Sequence, residues 1–505
     1  MRALISVYNK EGIYQFAKAL EELGYEIVST GGTAKFLEEQ GIKVKKVEEL
    51  TQFPEVLSGR VKTLHPVVHA GILYRHWIEK DREEIDRLGI KPIDVVVVNL
   101  YPFEEKLKDD LTEEELMEFV DIGGPTLLRA SAKNFYRVVV VCDPRDYEWV
   151  AQKLKDGSLS LKDRKYLAYK VFSLTSYYDA VISRSLSSLF EMDTLPEKFA
   201  FPFLLGATLR YGENPHQKGW LLQNPLEELG ITRSRVLQGK EMSFNNYLDA
   251  DSSVRLVSEF EKPACVIVKH GNPCGVALGK NLIDAFEKAI NTDRESAFGG
   301  IVAFNDRVDK ALAEKLTEIF LEVVIAPEFT EDALSLLSKK KNLRVIQFFG
   351  YSYSFDIKKV SGGYLLQEED NQDYQEIKVV SERHPTPEEL KDLLFAWKVS
   401  KYAKSNSMVI AKDGRTLGIG SGNVSRVDSL RCAIARAQRY GFDLKGSVLS
   451  SEAFLPFRDS VDLAHKAGIS AIIQPGGSIR DSEVIRAANE HGIAMVFTGI
   501  RHFRH

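Results

Sequence analysis

The first two hundred residues alternate between two hydrophobic periods. Residues 2–7 (RALISV) form a short apolar run. Ile13, Phe16, Ala17, Leu20 and Leu23 then recur three and four apart, the spacing that places apolar side chains on one helix face. Gly24 supplies the stop. Residues 25–29 read as a second strand, and a second helix follows from about Thr33. IDVVVVNL (93–100) and RVVVVCD (137–143) are nearly unbroken apolar runs, as parallel strands covered on both faces require. Strands alternating with helices predict an open α/β sheet. Over 150–190, Leu154, Tyr166, Val171, Phe172, Leu174, Tyr178 and Ile182 punctuate a polar background at helical spacing. The period fades past Pro196 and Pro202, which places a domain boundary there and predicts domains 1–195 and 196–505.

The second part restarts with ACVIVKH (264–270), a buried strand that runs into GNPCG. GGIVAFN (299–305), EVVIAP (322–327) and SAIIQPG (470–476) read as further strands with helices between them. MVIAKDGRTLGIGSG (408–422) predicts a hairpin turning on Asp413-Gly414. Residues 349–382 are rich in Tyr, Gly and acids, and they read as a connection between subdomains of about 205–365 and 366–505. No close internal repeat is visible.

Composition narrows the class. With 44% hydrophobic residues in 505, the chain has ample material for packed cores. A net charge of −5 does not suit a nucleic acid polymer or an anionic membrane as partner, so any basic site has to be a local pocket. The four cysteines, Cys142, Cys265, Cys274 and Cys432, form no CxxC pair and no disulfide framework, which points to a reducing, cytoplasmic setting. No signal-peptide pattern opens the chain, and no apolar run reaches the length of a membrane span.

Several segments have chemistry to offer. Thr30-Gly31-Gly32-Thr33 falls between a strand and a helix, where free N–H groups can meet an anion. By itself such a segment is more often just a turn. GRVKTLHP (59–66) adds Arg60, Lys62 and Thr63, either a phosphate pocket or a solvated basic loop. Tyr101, in NLYPF, follows the strongest apolar strand, at the end that lines the crevice of an open sheet. Asp121 precedes Gly123-Gly124-Pro125, and Lys133 follows a helical stretch. An Asp, a Tyr and two Lys residues could together move protons and offset charge. In the second domain LRYGENPHQ (209–217) carries Arg210 and Tyr211, and SFNNYLDADS (243–252) groups two Asn with two Asp, which is also what turn and cap chemistry looks like.

KHGNPCG (269–275) is the most informative segment. Lys269 and His270 end a buried strand, where charge is costly unless used or paired. Strand neighbours point to opposite faces, so both enter one pocket only if the strand breaks, and Gly271 and Pro273 offer the break. A neighbouring ammonium favours a neutral imidazole, ready to act as a base. A hydrogen-bonded structural histidine is the competing account. Asn406, Arg426, Phe454, Arg458, Arg501 and His505 come from later polar segments, and the terminal GIRHFRH follows an apolar run that should anchor it. Pro273-Cys274 lacks the second Cys of a zinc deaminase, and no HExxH appears, so no catalytic metal is expected.

STGGTAKFL, GRVKTLHPVVHAGIL, NLYPF, DIGGPTLLRASAKN, RYGENPHQ, VKHGNPCG, SNSM and AFLPFRD occur together in this order. The set resembles the bifunctional purine biosynthesis enzymes of the PurH family over nearly the whole chain. The resemblance implies an N-terminal methylglyoxal-synthase-like domain that acts as IMP cyclohydrolase. It implies a C-terminal AICAR formyltransferase of two cytidine-deaminase-like subdomains without zinc. The co-substrate would be 10-formyltetrahydrofolate, the ligands AICAR, FAICAR, IMP and folate, and the assembly a homodimer with transferase sites at the subunit interface.

It also implies roles. His270 would be the base of formyl transfer, Lys269 its charge stabiliser and Asn406 a residue holding the reacting groups. Arg210, Tyr211, Asn246, Arg426, Phe454, Arg501 and His505 would line nucleotide and folate pockets. Lys62, Tyr101, Asp121 and Lys133 would serve ring closure, and Ser6, Lys10, Thr30, Gly31, Gly32, Thr33, Arg60 and Thr63 would hold the 5′-phosphate. Two positions depart from the pattern. Tyr8 stands where many members have a small hydroxyl residue, and Gly300 where some longer members have Asp.

Overall fold

Valines 95 to 98 lie in the middle of a five-stranded parallel sheet with almost no exposed surface. The strands are β1 (Arg2–Val7), β2 (Glu26–Ser29), β3 (Val44–Lys46), β4 (Val95–Asn99) and β5 (Val139–Val141), in the order β3-β2-β1-β4-β5. The chain builds outward from β1 in one direction and then returns to β1's other side with β4. The strand order therefore reverses between β1 and β4, and a crevice opens at their carboxyl ends. Four helices matter for that crevice: α1 (Ile13–Glu22), α2 (Gly31–Glu39), α3 (Gly123–Lys133) and α4 (Leu161–Leu189). Ile13, Phe16, Ala17 and Leu20 of α1 are buried, as their spacing predicts. The helical stretch expected over 150–190 is two helices, Tyr147–Lys155 and the 29-residue α4. Ser160 and Asp163 form a capping box that starts α4 afresh.

The computed structural model describes residues 1–352 and 354–505. It divides into two compact units, Met1–Leu204 with Asn224–Leu226, and Leu205–Gln223 with Glu227–His505. No helix among the described residues is long and apolar enough to cross a membrane.

The second unit opens with a two-stranded ribbon, β6 (Leu204–Leu209) and β7 (Gly219–Gln223). Its large sheet has twelve strands: β8 (Arg235–Gln238), β9 (Ala264–Lys269), β10 (Asn272–Leu278), β11 (Ile301–Phe304), β12 (Val323–Ala326), β13 (Arg344–Gln347), β16 (Lys378–Val379), β17 (Met408–Lys412), β18 (Arg415–Gly420), β19 (Val448–Ser451), β20 (Ala471–Gln474) and β21 (Ala494–Phe497). A second ribbon, β14 (Phe355–Val360) and β15 (Gly363–Glu368), occupies the stretch read as a connection.

The strand order β16-β21-β20-β19-β17-β18-β10-β9-β11-β12-β13-β8 is one pattern laid down twice. Each half has a hairpin at the centre, three strands running parallel outside it and an antiparallel edge strand. In each half a 15-residue capped helix lies in the chain between the edge strand and the hairpin, α5 (Phe244–Ser258) in the first and α6 (Pro387–Lys401) in the second. The repeat lies in topology, while the sequence shows no close repeat, and two subdomains of one fold are what the resemblance implies. Where β10 meets β18 the ladder is a single pair, Ala277 with Arg415. The Thr416 hydroxyl reinforces it by accepting the Val276 N–H at 3.0 Å.

Candidate active sites

The crevice of the first unit is a cavity of about 830 Å³ at the carboxyl ends of β1, β2 and β4. Thr30 caps the N-terminus of α2, and Ser6 reaches it hydroxyl to hydroxyl at 3.2 Å. Thr33 closes the loop after β1, accepting the Val7 N–H at 3.1 Å and donating to the Val7 carbonyl at 2.9 Å. Lys10 donates to the Tyr8 carbonyl and the Thr33 hydroxyl, each at 3.2 Å, and burial lowers its pKa. Gly31 lies beside Lys62: a Cβ there would stand 3.2 Å from Nζ. A helix N-terminus, three hydroxyls and Lys10, Arg60 and Lys62 thus face one space, which suits a phosphate.

Tyr101 and Asp121 line the same cavity. Burial raises the Asp121 carboxyl, while the amides of Gly124 and Tyr101 pull it back down. The Gly124 N–H donates to Oδ1 at 2.7 Å. Position 124 has to be glycine for this approach, because a Cβ would meet Asp121 Oδ2 at 2.5 Å and Leu100 at 2.8 Å. Tyr101 is 40% exposed and packs edge-on against Tyr8, ring centroids 5.6 Å apart. Tyr8 therefore lines this cavity with its ring. A half-buried carboxyl, a phenol and an ammonium in one cavity can exchange protons with a bound ligand.

The cavity lining includes Ser6, Lys10, Thr30, Gly32, Thr33, Arg60, Lys62, Thr63, Tyr101 and Asp121. Lys133 is not among it. It is exposed at the last position of α3, about 9 Å of helix beyond Leu127, the last residue of α3 in the cavity lining. Sequence reasoning missed three participants. Asn99 accepts the Tyr8 and Asn9 N–H groups at 2.6 and 3.0 Å and fixes the loop after β1. Glu55 pairs with Lys62 at 3.1 Å, and Glu118 pairs with Arg60.

In the second unit Lys269 ends β9, and the chain reverses on His270-Gly271. Both residues have left-handed backbone, φ 54° and 69°. Such a turn matches the twist of a two-residue hairpin, yet it strains a residue with a Cβ, as functional sites often do. The expectation that Gly271 and Pro273 together break the strand is corrected: Pro273 lies within β10, paired with Val268. β9 ends at Lys269, and the break is the His270-Gly271 turn alone. The Lys269 ammonium donates to the Phe298 carbonyl at 2.7 Å, and His270 is exposed at the apex. Asp249, absent from the sequence-based site, accepts both turn amides.

Loop 404–407 ties the turn to the other candidates. The Lys404 N–H donates to Asn272 at 3.0 Å, and the Ser405 N–H to the Arg504 carbonyl at 2.9 Å. Asn406 donates its side-chain amide to the Asn423 carbonyl at 2.9 Å. Ser407 N–H donates to the buried Glu452 at 2.9 Å, and Arg426 pairs with the same carboxylate at 2.9 Å. Phe454 follows two residues on, half-buried. The C-terminal tail is anchored as expected: His502 is buried, and Arg501 stacks over Phe503 at 4.5 Å while His505 is exposed. Asn246 is buried in the capping box of α5 with Ser243. Arg210 and Tyr211 lie in the β6–β7 loop, which Asn245 meets at the Glu213 carbonyl, 3.2 Å. Arg458 lies apart from these contacts, paired with Asp462 and Glu490.

Comparison with known proteins adds the family. Residues 12–126 match the MGS-like domain family, and residues 131–436 match the AICARFT/IMPCHase bienzyme family. The bifunctional purine biosynthesis protein PurH of Aquifex aeolicus is 67% identical over 506 residues, covering 100% of both chains. Those of Persephonella marina and Caldicellulosiruptor saccharolyticus are 53% and 52% identical, each covering 100% of this chain and 99% of the relative. A crystal structure of ForH matches 36% of this chain and 95% of its own at 36% identity, with a TM-score of 0.34. With the five-stranded parallel sheet and its crevice in place, and with full-length relatives at this identity, the chain belongs to the PurH family of bifunctional purine biosynthesis enzymes.

Proposed function

We propose that the chain catalyses two consecutive steps of IMP synthesis, formyl transfer from 10-formyltetrahydrofolate to AICAR and dehydrative closure of FAICAR to IMP. The observation that carries the reading is the cavity of the first unit, where a phosphate cradle faces Lys62, Tyr101 and Asp121 within a chain of this family. We assign ring closure to residues 1–195 and formyl transfer to residues 196–505.

In transfer the 5-amino nitrogen of AICAR attacks the formyl carbon, and the bond from that carbon to folate N10 breaks. His270 takes the proton the amine loses, and N10 gains one as tetrahydrofolate leaves. The Lys269 ammonium offsets charge on the formyl oxygen, and Asn406 holds the reacting groups. Arg210, Tyr211, Asn246, Arg426, Phe454, Arg501 and His505 bind nucleotide and folate. In closure the carboxamide nitrogen attacks the formyl carbon of the same molecule, and the adduct loses water. Proximity comes from the substrate, so the protein folds it and moves protons through Lys62, Tyr101, Asp121 and Lys133. Ser6, Lys10, Thr30, Gly31, Gly32, Thr33, Arg60 and Thr63 hold the 5′-phosphate. Lys133 enters from the family pattern alone, and Lys133→Ala tests it.

We also propose a homodimer. The ribbon that carries Arg210 and Tyr211 leaves Leu205, Trp220 and Leu222 more than half exposed, apolar surface that a second copy would cover.

The test is a paired assay of wild type, His270→Ala and Lys62→Ala. Purified protein given FAICAR without folate should form IMP; none formed would remove the cyclohydrolase. His270→Ala should abolish tetrahydrofolate release and spare ring closure, and Lys62→Ala should do the reverse. Both activities falling together in a folded variant would overturn the two-site division.

A further inference from the structure

The catalytic turn is gripped from one side by a carboxylate on α5. Asp249 Oδ2 accepts the His270 N–H at 3.1 Å, and Oδ1 accepts the Gly271 N–H at 2.6 Å. The central amides of a two-residue hairpin turn ordinarily face solvent. Here both point to one acceptor pair, in a segment whose left-handed φ is disfavoured for histidine.

The second half of the sheet contains the same device. Asp392, at the corresponding position of α6, accepts the Asp413 N–H through Oδ2 and the Gly414 N–H through Oδ1, each at 2.8 Å. Asp413 and Gly414 have φ 54° and 67°. In each copy the aspartate stands 21 positions before the first turn residue. The lysine before the turn also repeats its part, Lys412 donating to the Lys445 carbonyl at 2.8 Å as Lys269 does to Phe298. The chain therefore holds the Lys-X-Gly turn and its aspartate twice, and only the first copy presents an imidazole.

We propose that Asp249 is a positioning residue of the formyltransferase: by holding both amides of the left-handed turn, it fixes the direction in which the His270 side chain leaves the sheet. The proposal rests on His270 being the base. Backbone φ sets the Cα–Cβ direction, so a turn free to relax would swing the imidazole away from the amine it serves. Asparagine cannot replace the grip, because it offers one acceptor and turns an N–H toward an N–H. Asp392 is the internal control. It makes the same hydrogen bonds to a turn that carries no imidazole.

The experiment measures kcat and KM for tetrahydrofolate release and, in parallel, IMP formation from FAICAR. The proteins are full-length wild type, His270→Ala, Asp249→Asn, Asp249→Glu and Asp392→Asn. Asp249→Asn should lower the transferase kcat about 100-fold. The KM for AICAR should stay within about threefold, with ring closure unchanged. Asp249→Glu keeps both acceptors one methylene away and should recover part of the loss. Asp392→Asn should leave transferase kcat within about twofold of wild type. A wild-type kcat in Asp249→Asn, an equal loss in Asp392→Asn, or a rise in KM alone would overturn the positioning role. So would loss of both activities in both Asp249 variants, which would make Asp249 a folding residue. Transfer surviving in His270→Ala would instead overturn the base assignment beneath it.

Discussion

The Tyr178 hydroxyl accepts the Asp121 backbone N–H at 2.9 Å and donates to the Phe119 carbonyl at 3.0 Å. One phenol on α4 thus bridges two points of the segment that leads Asp121 into the cavity. Burial pushes the Tyr178 phenol up to about 12, so it stays a neutral donor at working pH. Tyr178→Phe leaves an amide and a carbonyl without partners, a cost of about 1–3 kcal/mol. Ring closure should fall about tenfold while tetrahydrofolate release is unchanged. Equal rates of ring closure in the two proteins would refute the link.

Lys62, which lines the crevice, forms an ion pair with Glu55, both side chains about one-third exposed. An anionic ligand has to draw Lys62 away from that carboxylate. A partly exposed pair is worth about 0.2–1 kcal/mol. Glu55→Gln should therefore lower the KM for FAICAR about 1.5- to 5-fold, with kcat little changed. Steady-state ring closure at low substrate checks it, and a higher KM would show that Glu55 aids binding.

These two relationships mark where linear reading stops. β4 was legible because four buried valines in a row have few alternatives to a covered parallel strand, and its end carries Tyr101. The Gly-Gly turn at the start of α2 was legible as a turn, and its generic anion-binding use was only one of two readings. Glu55, Asn99 and Asp249 were not, because their parts depend on partners brought near by the fold. Asp249 sits in a run of Asn and Asp that reads equally well as cap chemistry, and its targets are 21 and 22 residues on. Lys133 is a different case: it stands at the end of α3 and outside the cavity lining, so its role rests on the family pattern. The start of α4 could have been found, because Ser160 and Asp163 are a box at the standard spacing.

That box carries an acid-sensitive contribution. Asp163 is held at about 2 by the Lys153 ammonium first, and then by the Ser160 hydroxyl and amide. A folded value below the unfolded one of about 3.9 means stability that is present above that pH and lost as pH falls toward 2. Asp163→Asn should lower the unfolding temperature of the first unit by about 2 °C at neutral pH. The gap should close between about pH 4 and pH 2. Circular dichroism melts across that range test it, and a gap independent of pH would assign the effect to the hydrogen bonds alone.

Asp121 has the opposite sign. Burial raises its carboxyl despite the Gly124 and Tyr101 amides, so protonation is easier in the folded chain than in the unfolded one. Its favourable contribution is complete below about 3.9, the unfolded value, and is lost as pH rises through the raised folded value. At neutral pH the ionised carboxylate is a cost to the fold, because burial disfavours its charge. Asp121→Asn keeps an oxygen for the Gly124 N–H at 2.7 Å and removes the buried charge. It should raise the unfolding temperature at pH 7 and change it little near pH 3, while cutting ring closure about 100-fold or more. Transfer should be untouched. Paired melts and IMP assays check both halves. A destabilised Asp121→Asn at pH 7 would mean that the two amides more than repay the burial, and the carboxylate would then be a structural acceptor first.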